Sequence, residues 1–510
     1  MEEPALPTVT KHYATPDAHS DVLWQPRDDS VIRERAVGAT FEAAEGPFSV
    51  WVRTLREDGS VLTETIHYRT SVRYWGWLFD LALRPSVATT PNRGPQWWRP
   101  TDRLTQHQAD ALGCCAVLSM MFALLGGIVV QTLTYASQDL GNTAWDQSKV
   151  LTIVRLGAIV TVAITAAGDR VGRIRALRIA LWVSMLGNVA SAISPSLMLI
   201  GVAQWFGRGA AAAGIFLIGI ICAEVLPARS RSYGVAVLLL PGGIGIGVLL
   251  AALPFIQSSE WAWRLFYCAA LPAGIIGLRA LRHLSEPQRF TAAVQLTPRA
   301  QRSSMAAETT SRLPTAARIN LRRFIALAAL LVALNAFTAP TQQLQNDYLN
   351  VERAFSPGRV SLFLVATNIW GGIGVVVGSQ MSDRSSRRLA AWLGLMGLAG
   401  GSIIMFSFGG WLMWLGSALS SVIGGMFASA IGAMLPEMFP TIRRGTSNGL
   451  LNGFGVGGSA LGLLITGHLV TTSGYAKPVQ LLGVALVVAA FFVWLLPESA
   501  GHELEELNHE

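Results

Sequence analysis

The sequence predicts an all-α membrane protein, with twelve transmembrane helices in two six-helix bundles and a small cytoplasmic N-terminal extension. Composition is the first of three reasons. Of the 510 residues, 51% are apolar and only 14% charged, whereas an ordinary soluble chain carries about a quarter charged residues. Second, from Ala109 onward apolar segments of roughly twenty residues recur, the length a helix needs to cross about 30 Å of hydrocarbon. Third, arginines crowd into every second connection between those segments, and positive connections stay on the cytoplasmic side.

Residues 1–108 form the extension. Phe48–Arg56 and Ser60–Tyr68 alternate loosely around Asp58-Gly59, a good hairpin turn, and so predict two strands. The apolar, aromatic stretch 72–83 is too short to span a bilayer. Strands followed by an aromatic helix resemble the C-terminal part of the START/polyketide-cyclase helix-grip fold. A plain interfacial helix lying against the membrane fits the same residues. Pro85–Arg103, with Trp97-Trp98, reads as a linker anchored at headgroup level. The acidic N-terminus has no apolar core behind a positive start, so a cleaved signal peptide is not expected.

The first bundle, 109–284, should hold spans near 110–135, 147–167, 177–197, 199–226, 232–256 and 263–284. A polar, arginine-rich cytoplasmic loop, 285–322, follows. The second bundle, 323–497, should hold spans near 323–345, 357–379, 388–408, 411–436, 445–470 and 478–496, before an acidic cytoplasmic tail, 498–510. The net charge of +8 is nearly all arginine, with lysine only at Lys11, Lys149 and Lys477. Because the arginines sit between apolar segments, they point to bilayer orientation rather than nucleic acid. Both termini should be cytoplasmic and the protein multi-pass in the plasma membrane. The four cysteines lie in apolar stretches without metal-ligand spacing and should pack as small apolar residues.

Two turns repeat. Thr165-Ala-Ala-Gly-Asp169-Arg170-Val-Gly172-Arg173 joins spans two and three, and Ser379-Gln-Met-Ser-Asp383-Arg384-Ser-Ser-Arg387-Arg388 joins spans eight and nine. A second pair, Glu224-Val-Leu-Pro227 and Glu437-Met-Phe-Pro440, follows spans four and ten, each leading into arginines. Ser285-Glu286-Pro287-Gln-Arg289-Phe290 and Pro497-Glu498-Ser-Ala-Gly501 close the two halves. In this order the motifs resemble the major facilitator superfamily of transporters, in its sugar-porter and metabolite–proton symporter branches. The likeness covers roughly residues 109–507. Thr165 and Ser379 stand where the family has glycine, and Ser386 replaces the central glycine of the second copy.

The resemblance implies a secondary active transporter working by alternating access, with Asp169, Arg170, Gly172, Arg173, Glu224, Asp383, Arg384, Arg387, Arg388 and Glu437 as gating residues. Asp169 would face the positive N-terminal end of span eleven. Arg173 or Arg170 would pair with Glu224. Relatives carry an arginine where Gln204 stands, and Arg208 lies one turn further on the same face.

Span interiors contain no Asp or Glu, but two arginines, Arg155 and Arg208, are internal. Arg155 lies fourteen positions before Asp169 and Arg208 sixteen before Glu224. At about 1.5 Å per residue both sit roughly 21–24 Å from the turns, near mid-bilayer. Buried cations are costly and mark functional sites. The candidate substrate contacts are Arg155, Arg208, Gln204, Gln131, Tyr135, Asn335, Gln342 and Asn452. Their chemistry suits a small organic, anionic metabolite. A coupling proton has no embedded carboxylate to ride on, leaving His468, an edge acid such as Asp139, or the substrate's own carboxylate. The other partner is membrane lipid; no cofactor, metal or nucleic acid is expected. No nucleotide loop or nucleophile–base pattern suggests an enzyme. A drug exporter, or a transporter-like sensor or lipid-handling protein governed by the extension, are the alternatives these residues leave open.

Overall fold

A computed structural model of the chain describes residues 6–14, 23–29, 31–58, 61–88, 100–141, 150, 153–252, 255, 261–296, 315–343, 345, 348–355, 357–440 and 443–502. Trp97-Trp98, Lys149, the stretch 297–314 of the central loop and the tail from 503 lie outside the described residues.

The extension is a five-stranded antiparallel sheet backed by one helix. Its strands are β1 (Thr8–Ala14), β2 (Arg33–Val37), β3 (Thr40–Glu45), β4 (Phe48–Asp58) and β5 (Val61–Thr70), in the order β1-β5-β4-β3-β2. Alternation sends Leu62, Glu64, Ile66 and Tyr68 of β5 to one buried face. Helix α1 (Gly76–Val87) lays Leu83 and Val87 on Phe48, Trp51, Ile66 and Tyr68. Charge is buried on that face too. Arg53, fully buried, bonds Glu34 at 2.7 Å and lies 3.6 Å from Glu64, which also takes Lys11 at 3.0 Å.

The helices that follow are α2 (Gln106–Asp139), α3 (Ala158–Val171), α4 (Arg173–Ala192), α5 (Leu197–Val225), α6 (Arg231–Ala252), α7 (Trp263–Cys268) and α8 (Ala270–Leu281). After α9 (Gln288–Leu296) come α10 (Thr315–Gln343), α11 (Pro357–Asn368), α12 (Gly371–Arg384), α13 (Arg387–Ser407), α14 (Trp411–Glu437), α15 (Arg444–Ser473) and α16 (Ala476–Ala490). Pairing α7 with α8 and α11 with α12, and leaving α9 aside, these trace twelve passages. Ten of these passages, among the described residues, are long and apolar enough to cross a membrane. The other two passages are α3, whose helix is interrupted at Leu156-Gly157, and α4, which begins with Arg173, Arg175 and Arg178.

Each half has its own apolar core, one running from Leu104 to Leu284 and the other from Ala326 to Leu496. Small residues let helices touch backbone to backbone, as lipid-embedded bundles require. Gly187 of α4 meets Gly207 of α5, and in the second half Gly401 of α13 meets Gly416 of α14. The same crossing is thus made twice, once in each half.

Candidate substrate site and gate

The repeated turns converge at one end of the molecule. Helix α3 ends at Val171, and Gly172 reverses the chain with φ +105°, a conformation that favours glycine. A Cβ there would also crowd the Glu286 carboxylate at 3.1–3.2 Å. Glu286 accepts from the backbone N–H groups of Arg173 and Ile174 (3.2 Å to the latter), so it caps the start of α4. In the second copy Ser386 is extended at φ −152° and caps α13 through its hydroxyl, which accepts from the Leu389 N–H. Glu498 does what Glu286 does. It takes the Arg387 N–H at 3.1 Å and the Ser386 hydroxyl. The glycine lost from the second motif is therefore replaced by a side-chain cap.

Across the halves the contacts are reciprocal. Asp169 accepts from the N–H groups of Gly445 (2.9 Å) and Thr446 (2.6 Å) and from the Thr446 hydroxyl (2.8 Å), at the start of α15. Asp383 accepts from the N–H groups of Ser232 (3.0 Å) and Tyr233 (2.7 Å), at the start of α6. Each carboxylate thus meets the positive end of a helix from the other half. Glu224 binds Arg173 of its own half at 3.4 Å and Arg444 of the other at 2.6 Å. Glu437 binds Arg387 of its own half and Arg231 of the other, the latter at 2.9 Å. Asp169 is half-buried and the other charges are buried.

The remaining turn residues sit at the rim. Arg388 reaches Glu498 at 3.5 Å and the Leu496 carbonyl at 3.2 Å, while Arg170 and Arg384 are exposed. Thr165 fits in place of a glycine because Gly449 of α15 lies against its hydroxyl. The spacing of the motifs located the acidic turns but not Arg231, Arg444, Thr446 or the capping roles of Glu286 and Glu498. The signal was there: each of those arginines follows the Glu-x-x-Pro motif of its own half by a few residues.

Higher in the bundle, the Thr161 hydroxyl of α3 donates to the Gly209 carbonyl of α5 at 2.8 Å, and Gly157 abuts Trp205 and Gly209. That crossing brings Arg155 and Arg208 to one level. Arg208 lies within electrostatic reach of Arg155, and neither has a hydrogen-bond or ion-pair partner among the described residues. Gln204 is fully buried, and its side-chain nitrogen donates to Asn188 (3.2 Å) and Ser191 (2.9 Å) of α4.

Gln131 and Tyr135 are half-buried on α2, with Tyr135 against the first core. Asn335 donates to the Leu331 carbonyl of its own helix at 2.9 Å and lies beside Gly455 of α15. Gln342 is exposed near the end of α10, and Asn452 is half-buried on α15. Asn368, where α11 breaks before α12, accepts from Ser421 of α14 at 3.1 Å. The edge acid Asp139 accepts from the Trp263 indole at 2.9 Å, and His468 is exposed.

Two six-helix halves meeting through reciprocal buried ion pairs have the architecture of a multi-pass membrane protein. Residues 323–509 match the Major Facilitator Superfamily. A probable 4-methylmuconolactone transporter of Cupriavidus pinatubonensis is 29% identical over 400 residues, covering 70% of this chain and 85% of that one. The proline/betaine transporter of Salmonella typhimurium is 26% identical over 300 residues, and the match spans 54% of this chain and 59% of that protein's length. Among solved structures, the proton:xylose symporter XylE aligns with a TM-score of 0.66 at 15% identity, covering 79% of this chain and 98% of that one. The human organic anion transporter MFSD10 aligns at 0.59 and 15% identity, covering 76% and 99%. These likenesses support a major facilitator superfamily transporter.

Proposed function

We propose that the protein carries a small organic anion, such as a carboxylate, across the plasma membrane by alternating access coupled to protons. Halves 109–284 and 323–497, joined by the cytoplasmic loop 285–322, rock about a midplane site, with both termini in the cytoplasm. The carrying observation is the pair of guanidiniums, Arg155 and Arg208, at one level without acidic partners among the described residues. A buried cation needs neutralising, and here the substrate supplies the charge. The names of two relatives, a 4-methylmuconolactone transporter and a proline/betaine transporter, support a small organic metabolite. Asn335, Asn452, Gln131 and Tyr135 supply neutral contacts to the rest of the molecule.

The buried network forms a gate that holds the cytoplasmic side shut. Its cross-half bonds exist only in that state, so they bias the equilibrium toward it. Thermal-shift screening of the purified protein against organic anions, cations and neutral sugars tests the substrate class. Stabilisation by carboxylates that disappears in Arg155→Lys and Arg208→Lys supports it. Stabilisation by large apolar or cationic compounds, retained in both variants, would instead identify a drug exporter.

A further inference from the structure

The turn leading into α1 is built in an unusual way. Tyr74 adopts φ +68°, a conformation rare for a bulky residue. Its effect is to send neighbouring aromatics in opposite directions. Trp75 packs against the core of the first six-helix half, while Tyr74, Trp77 and Leu78 are exposed, Trp77 by 71%. The turn is pinned there from both sides. Arg73 bonds Asp110 at the start of α2 at 3.0 Å, and Gly113 lies so close to Val72 and Arg73 that a Cβ would sit 2.8 Å from the Arg73 carbonyl.

The height of this aromatic face is set by its neighbours. Tyr74 stands within electrostatic reach of Asp110 and Cys114 on α2 and of Arg279 on α8. Arg279 is two residues from the end of the α7–α8 passage, whose outer face presents Leu271, Ile275 and Ile276. The exposed aromatics therefore continue the lipid-facing surface of that passage at its boundary, beside the exposed Arg279 and Arg282. Aromatic rings with a polar edge, flanked by arginines on long apolar stems, suit the headgroup level of a bilayer. Anionic headgroups attract such arginines near the surface.

We infer that the N-terminal extension is a membrane-seated domain whose Tyr74–Trp77–Leu78 face enters the headgroup layer of an anionic bilayer, with Arg279 and Arg282 holding the lipid phosphates. The occupant is the bilayer because the patch is continuous with a membrane-spanning surface and its charge complements anionic lipid.

The test uses the full-length protein in nanodiscs, taking the emission of the parent minus that of Trp77→Phe as the Trp77 signal. Quenching by lipids brominated at the top of the acyl chain, with shielding from aqueous acrylamide, is the expected result. A signal quenched by acrylamide and indifferent to brominated lipid would overturn the inference. So would shielding from both quenchers, which would put a protein surface there. Trp77 is largely exposed, so folding should survive its replacement, and Trp77→Tyr provides a second difference signal. In a second arm, thermal stability is compared between phosphatidylglycerol and phosphatidylcholine nanodiscs. The parent should melt higher in the anionic lipid and Arg279→Gln/Arg282→Gln should lose that difference. Equal melting of the parent in both lipids, or a difference kept by the double variant, would refute the assignment of the two arginines.

Discussion

An arginine placed among lipid-embedded helices is either tied to carbonyls or waiting for an anion, and the two cases respond differently to lysine. Lysine keeps the charge but cannot reproduce the planar fork that grips a carboxylate through two parallel bonds. Arg155→Lys and Arg208→Lys should each lose a charged hydrogen bond worth about 1.5–3 kcal/mol, or roughly ten- to a hundredfold in affinity. Titration of a stabilising carboxylate by calorimetry reads this directly. If the variants instead melt lower while binding the anion unchanged, the arginines are structural. Gln204 stands where the resemblance implies an arginine and shares a helical face with Arg208, and its amide donates to Asn188 and Ser191 on α4. Spacing along one helix cannot show what the neighbouring helix offers.

At the scale of helices, the gate combines own-half with cross-half bonds, and the two kinds have different consequences. Arg173 stays with Glu224 when the halves separate, whereas Arg444 must leave it; Arg387 and Arg231 stand in the same relation to Glu437. Arg444→Gln or Arg231→Gln should therefore favour the cytoplasm-open state while each glutamate keeps one partner. Accessibility of a cysteine introduced on the cavity face to a thiol reagent from the cytoplasmic side should rise in both variants. Asp169→Asn removes the charge that faces the start of α15, and should slow transport at normal expression. Unchanged transport would leave Asp169 a topology marker.

A helix-end cap gives a pH-dependent reading at the same scale. Burial opposes ionisation of Glu498, but the Ser386 hydroxyl, the Ala500 and Arg387 N–H groups and the Arg388 charge outweigh it and hold its carboxyl below the usual range. A carboxyl depressed in the folded state stabilises above its unfolded pKa, and that contribution fades as pH falls through the folded value. Glu498→Gln should thus cost about 1 kcal/mol near neutral pH, the worth of a helix cap. The gap to the parent should close on acidification, as melting curves across pH will show. The apolar segments and turns of this region were legible because bilayer thickness and arginine sidedness constrain them strongly. Strands β1, β2 and β3 were not. They are short or polar, and the ion pairs of Arg53, Glu34 and Glu64 that bury their charges come from residues far apart in sequence. The β4–β5 hairpin was readable because it needs only alternation and a turn.

For the whole molecule the open question is how the cycle is driven, and the distribution of titratable groups narrows the answer. The spans carry arginine but no Asp or Glu in their interiors, so a proton cannot ride on an embedded carboxylate. Three carriers remain: His468, exposed on α15; Asp139, which accepts from the Trp263 indole at the end of α2; and the carboxylate of the substrate. The bond to Trp263 fixes Asp139 at the end of its helix, a poor place for a group that must meet both sides of the membrane. A substrate held by two guanidiniums has the opposite property, since its own charge decides whether it is gripped. Accumulation in vesicles under an imposed inward proton gradient should therefore persist in His468→Gln and Asp139→Asn, and in the double variant. Loss of gradient-driven accumulation in His468→Gln, with downhill exchange of the same substrate intact, would move the proton to His468. A parent that does not respond to the gradient would mean facilitated diffusion or another ion, because the arginine site alone would then bind the anion without linking it to pH.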